Sequence, residues 1–80
     1  MSVRDLSELP LGQSGWVRCL RSGEGIGRRL MDLGFTPGAE ALCVLSAPGG
    51  GMRAYRVRGA VIALRRKEAR KIVLKEESHE

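Results

Sequence analysis

Apolar residues in this chain recur in short alternating runs broken by Gly and Pro, the pattern of small β-strands joined by tight connections. Residues 16–20 alternate, assigning Val17 and Cys19 to one face and Trp16, Arg18 and Leu20 to the other. Residues 40–46 alternate with Leu42 and Val44 on one face, and residues 53–57 set Tyr55 and Val57 against arginines. Residues 60–64 form a continuous apolar run, and residues 72–74 make a last short strand. Ahead of the first strand, Leu6, Leu9 and Leu11 surround Pro10 before Gly12 and Gly15, which suits a lead-in turn better than a helix.

One segment breaks the strand pattern. Residues 22–27 hold three glycines and read as loop, after which residues 28–33 place Leu30 and Leu33 three apart on one helical face. Gly34 is the stop: it can take a positive φ after the last turn, letting Phe35 fold back onto Leu30 as in a Schellman motif. Thr36-Pro37-Gly38-Ala39 then suits a type II turn, since Pro fixes the first central residue and Gly accepts positive φ at the second. Pro48 and Gly49 to Gly51 imply a flexible hairpin loop, Arg58-Gly59 a tight connection, and residues 65–71 at most one helical turn.

Five short strands and one helical insertion in 80 residues leave too little chain for two stacked sheets. A mainly β fold is expected: a small, partly open SH3-like barrel of about five strands, one domain over residues 1–80, with 75–80 as a frayed charged tail. The expected core is Val17, Leu30, Leu33, Leu42, Val44, Val57, Ile62, Leu64, Ile72 and Leu74.

Composition narrows the function classes. Fourteen Lys and Arg against nine Asp and Glu give a net charge of +5, which suits an acidic protein surface, anionic lipid or nucleic acid. Trp16, Phe35 and Tyr55 are the only aromatics and are scattered, so no stacking platform for single-stranded nucleic acid is expected. Neither a signal-peptide core nor a run of about 20 apolar residues is present, so a cytoplasmic protein without membrane insertion is expected. Gly23, Gly25 and Gly27 lack the Lys and Ser or Thr of a phosphate loop. The only histidine, His79, lies in the tail, where it cannot be held beside a nucleophile, so the expectation is no enzyme. Cys19 and Cys43 lack C-x-x-C spacing and read as two buried thiols. A transition metal, iron or zinc, stays open as a cofactor without an identified ligand set; His79 with Glu77 and Glu80 could bind zinc between two copies.

The run Arg29-Leu30-Met31-Asp32-Leu33-Gly34-Phe35-Thr36-Pro37-Gly38 resembles the R-L-x-x-L-G-x-x-P-G signature of FeoA domains. Ala47-Pro48, residues 57–59 and Ala63-Leu64-Arg65-Arg66-Lys67-Glu68-Ala69 followed by Ile72 and Leu74 are similar to the same family in order and spacing. The resemblance implies an SH3-like barrel that associates with FeoB, the membrane ferrous iron transporter with a cytosolic GTPase domain, and modulates it. FeoA proteins often carry Leu-Gly-Asp-Pro after the Ala-Pro pair, where this chain has Gly49-Gly50-Gly51-Met52.

With Leu30 and Leu33 facing the core, Arg28, Arg29, Met31 and Asp32 fall partly on the remaining helix faces. Together with Phe35 and Pro37 of the following turn, they form the expected partner-binding surface, since Arg and Met are favoured at protein interfaces. The competing readings are a merely solvated face with local ion pairs, and contact through residues 48–52 instead. Two other function classes stand beside the transporter accessory: the SH3-like domain of a metal-responsive transcriptional regulator, which would lack its helix-turn-helix here, and a basic RNA-binding barrel.

Overall fold

The computed structural model describes residues 3–21 and 26–75. Its strands are β1 (Ser14–Leu20), β2 (Glu40–Ser46), β3 (Met52–Val57), β4 (Ala60–Arg65) and β5 (Ile72–Leu74), with α1 (Ile26–Asp32) between β1 and β2 and the single turn α2 (Arg66–Ala69) before β5. All pairings are antiparallel, in the order β4-β3-β2-β1-β5. The sheet curls because β1 divides its length between two neighbours: Ser14 to Trp16 pair with β2, and Val17 to Leu20 pair with β5, with a register shift between Val17 and Cys19. β4 and β5 do not pair, so the barrel stays partly open, as the strand pattern predicts.

The turns follow their residues. Arg58 and Gly59 both take positive φ (51° and 83°), which suits the two-residue link between β3 and β4. Gly38 has φ +90°, and the Ala39 N–H donates to the Thr36 carbonyl at 2.9 Å, closing the expected turn. Residues 48–50 are a 3-10 turn with Gly49 and Gly50 at positive φ.

Inward-facing Tyr55 and Val57 of β3, Leu64 of β4, Val17 of β1, and Ile72 and Leu74 of β5 meet Leu30 and Phe35 in one core. Each such side chain contributes roughly 1.5–3 kcal/mol by leaving water. In β2 the phase is opposite to the expected one. Ala41 and Cys43 face the core, and Leu42 and Val44 are only half-buried, because Ala41 and Cys43 stand opposite the bulky Val57 and Tyr55 and leave them room. Leu33 and Ile62 pack at the core margin. Cys19 is exposed rather than buried, since the β1 register shift breaks its alternation with Val17. Gly27, read as loop, lies inside α1.

The lead-in segment is a structural element. Residues Leu6–Glu8 form a 3-10 turn, capped where the Asp5 carboxylate accepts from the Ser7 N–H at 3.0 Å, and it buries Leu6 and Leu9. Arg53 of β3 holds this segment, its guanidinium donating to the carbonyls of Ser7 and of Leu9 (2.6 Å). Beside it, the Tyr55 hydroxyl donates to the Leu6 carbonyl at 2.7 Å. Burial of the phenol pushes the Tyr55 pKa up to about 12, although the nearby Arg53 charge pulls it down. The Arg4 carbonyl then accepts from the Leu74 N–H, placing residues 4 and 5 against β5.

Candidate partner-binding surface

The run 29–38 folds as one unit because each backbone group at the end of α1 finds a partner. The Phe35 N–H donates to the Leu30 carbonyl at 3.1 Å and the Gly34 N–H to the Met31 carbonyl at 3.0 Å, the paired bonds of a Schellman motif. Gly34 sits at φ +117°, which a side chain opposes. Leu30 and Phe35 are both fully buried in the core, completing the hydrophobic contact across the cap. Downstream, the Gly38 N–H donates to the Val17 carbonyl and the Val17 N–H to the Ala39 carbonyl, both at 2.8 Å, so the turn is stitched to β1.

Of the six expected partner-binding residues, Arg28, Arg29, Met31, Asp32 and Pro37 are exposed on this unit. Met31 leaves 44% of its surface open. Phe35 is a correction: at 0% exposure its ring belongs to the core, because C-cap geometry turns the residue after Gly34 back onto the helix. It fixes the surface from beneath.

Arg29 is committed within the molecule. Its guanidinium donates to the Glu68 carboxylate at 2.9 Å, tying α1 to α2. Glu68 is held below its usual carboxylate pKa chiefly because the Arg65 N–H donates to its other oxygen at 2.8 Å; burial pulls the other way, and the Arg29 guanidinium adds to the lowering. Arg29 is half-exposed, so the pair contributes about 0–1 kcal/mol and serves mainly to orient. Sequence reasoning missed Glu68: at N3 of a short helix it bonds back to the Arg65 N–H, but Arg65 is not one of the N-cap residue types that would have signalled it. Arg28, Met31, Asp32 and Pro37 therefore remain as the outward-facing groups, with Thr36 held by a 2.7 Å bond from Arg58.

Among the described residues no three His, Cys, Asp or Glu converge as metal ligands. Cys43 is buried opposite Tyr55, whereas Cys19 is exposed opposite Val73 on the other arm of the sheet. His79, Glu77 and Glu80 lie outside the described residues, as do Gly23 and Gly25. Phe35 and Tyr55 are in the core and Trp16 alone of the three aromatics is exposed, so no row of stacking side chains is offered to nucleic acid.

A family model described as "FeoA domain" matches residues 4–76. The structure of Stenotrophomonas maltophilia FeoA, solved with zinc and described as an SH3 domain protein and a candidate activating factor of ferrous iron transport, superposes with a TM-score of 0.81 at 36% identity, covering 91% of each chain. FeoA protein from Chlorobium tepidum gives 0.82 at 32% identity over 92% of this chain and 70% of that one. A FeoA-like protein from Clostridium acetobutylicum gives 0.81 at 28% identity over 98% and 95%. The comparison with curated proteins returns no match.

Proposed function

This chain belongs to the FeoA family, whose members are associated with ferrous iron transport, and from that premise we propose that it is a cytoplasmic accessory protein that binds the cytosolic region of the membrane iron transporter FeoB. It acts by contact rather than by catalysis. The observation that carries this reading is the rigid surface left by the family motif. Its apolar residues Leu30, Leu33 and Phe35 go to the core or its margin, and Gly34 and Gly38 make the turns. Arg28, Met31, Asp32 and Pro37 are thus held outward on a backbone that has little freedom to move. Preorganisation of this kind lowers the ordering cost of association.

A role in contact is also supported by the side-chain chemistry, since Arg and Met are enriched in interface cores. No helix among the described residues is long and apolar enough to cross a membrane, so a membrane partner would be met through its extramembrane part. The zinc of the Stenotrophomonas relative has no counterpart set of ligands among the described residues, and metal enters this reading only as the transporter's cargo.

The test is capture of the purified cytosolic region of the FeoB from the same cell by the immobilised protein, together with ferrous iron uptake in cells lacking the chain. Specific capture and reduced uptake are expected. Normal uptake without the chain, and no capture, would remove the proposal.

A further inference from the structure

Four of the six large apolar side chains that stand exposed among the described residues belong to a single face of the sheet: Trp16 (48%), Leu45 (55%), Met52 (40%) and Val61 (57%). It is the outer face. Tyr55, Val57, Ala41, Cys43 and Leu64 alternate inward, which turns their neighbours out. The register shift between Cys43 and Leu45 brings Leu45 to the outer side opposite Ala54. Pairing then sets Val61, Arg56 and Leu42 in one row, Ala63, Ala54 and Leu45 in the next, and Arg65 beside Met52 beyond them. Side chains directly opposite one another in such rows lie about 5 Å apart, so Ala63, Ala54 and Leu45 make an apolar row across three strands, beside the row in which Val61 and Leu42 flank Arg56.

Arg56 stands in the middle of this surface without an acidic partner among the described residues. The two ion pairs among the described residues, Arg21 with Asp5 and Arg29 with Glu68, lie elsewhere, and the Arg56 side chain makes no hydrogen bond there. An apolar face around an unpaired cation is complementary to an occupant bearing both apolar groups and carboxylates. A second copy fits poorly, since Arg56 and Arg65 against the one Glu40 leave this face net positive, and two copies would bring like charge together. Because Leu30 of α1 joins the core on the inner side, this face is separate from the α1 surface.

We propose that the outer face of β2, β3 and β4 docks an acidic amphipathic segment of a partner protein, its apolar stripe on Leu42, Leu45 and Val61 and a carboxylate on Arg56. Trp, Met and Arg are the residue types enriched at such interfaces.

The isotope-labelled protein can be titrated, with amide shifts followed by NMR, against a synthetic helical peptide whose leucine stripe is flanked by glutamates. The same peptide with lysines, and phosphatidylcholine vesicles containing phosphatidylglycerol, are the other arms. Saturable shifts at Leu42, Leu45, Arg56 and Val61 are expected with the acidic peptide alone. Arg56→Glu should weaken that binding by about tenfold or more with an unchanged melting temperature, and Val61→Ser should weaken it as well. Equal binding of the lysine peptide, shifts only outside this face, binding to the vesicles, or self-association through the same amides would each overturn the proposal. No transporter is present in the titration, so its failure leaves the FeoB reading standing.

Discussion

Replacing Gly34 with alanine should destabilise the protein by about 1–3 kcal/mol, the cost of holding a side-chain-bearing residue in a sparsely populated backbone region. Space is not the obstacle. A Cβ at Gly34 would meet Arg58 Cδ and Val57 Cγ1 at 3.6 Å, ordinary contact distances, so the penalty arises from the φ of +117° itself. Gly27 in the same helix is the matched control. It has no positive φ and a Cβ there would meet nothing within 4 Å, so Gly27→Ala should stabilise by about 0.5–1 kcal/mol. The two alanine variants should thus differ by roughly 1.5–4 kcal/mol with opposite signs about wild type. Urea denaturation resolves this: with a slope of about 1 kcal/mol per molar for a small protein, their midpoints should separate by more than about 1 M. Gly34→Asn should fall between Gly34→Ala and wild type, since asparagine tolerates positive φ better. A Gly34→Ala midpoint within error of wild type would refute the view that this glycine is present for its backbone conformation.

Leu30→Ala should cost about 2–5 kcal/mol, and Leu33→Ala clearly less because Leu33 is only half-buried; denaturant melts of both variants rank them. Tyr55 is the only tyrosine, so ultraviolet titration reads it alone: its midpoint should be near 12 rather than 10, and its contribution to stability, level below pH 10, should fall as pH rises through that interval, because the unfolded phenol ionises first. Glu68 carries the opposite sign. Its folded pKa lies below the ordinary 4.5, so its contribution is present above that pH and is lost as pH falls through the folded value; wild type should be more stable than Glu68→Gln near neutral pH, and acid titration of stability should show the gap close across that acidic window.

Local chemistry made much of this fold readable. Gly34-Phe35, Pro37-Gly38 and Arg58-Gly59 each specify a turn through the conformations their residues allow, and the structure has all three. The phase of β2 was not readable, because alternation gives two faces without saying which is inner. Size alone favours Leu42 and Val44 for the inner face, yet Tyr55 and Val57 across the strand fill the core and leave room only for Ala41 and Cys43. Leu6 and Leu9 were hidden for a similar reason: their burial depends on Arg53 and Tyr55, more than 40 residues away, which hold the carbonyls of the lead-in turn. At the partner surface, exposure of Arg28, Met31 and Asp32 followed from helix periodicity. Burial of Phe35 was implicit in the same C-cap reading that placed it against Leu30, and a residue cannot both complete that cap and face a partner.

Contact with the transporter through the outward groups of α1 is the central proposal. Calorimetric titration of the FeoB cytosolic region with wild type and with the double variant Arg28→Glu, Met31→Ser tests it most directly. Arg29 is left intact because reversing it would place a carboxylate against Glu68 and disturb the fold. Binding by wild type, a loss of about tenfold or more in the double variant, and melting temperatures within error of each other are predicted. Undiminished binding by the double variant, with loss on altering residues 48–52 instead, would place the contact on the hairpin and contradict the account.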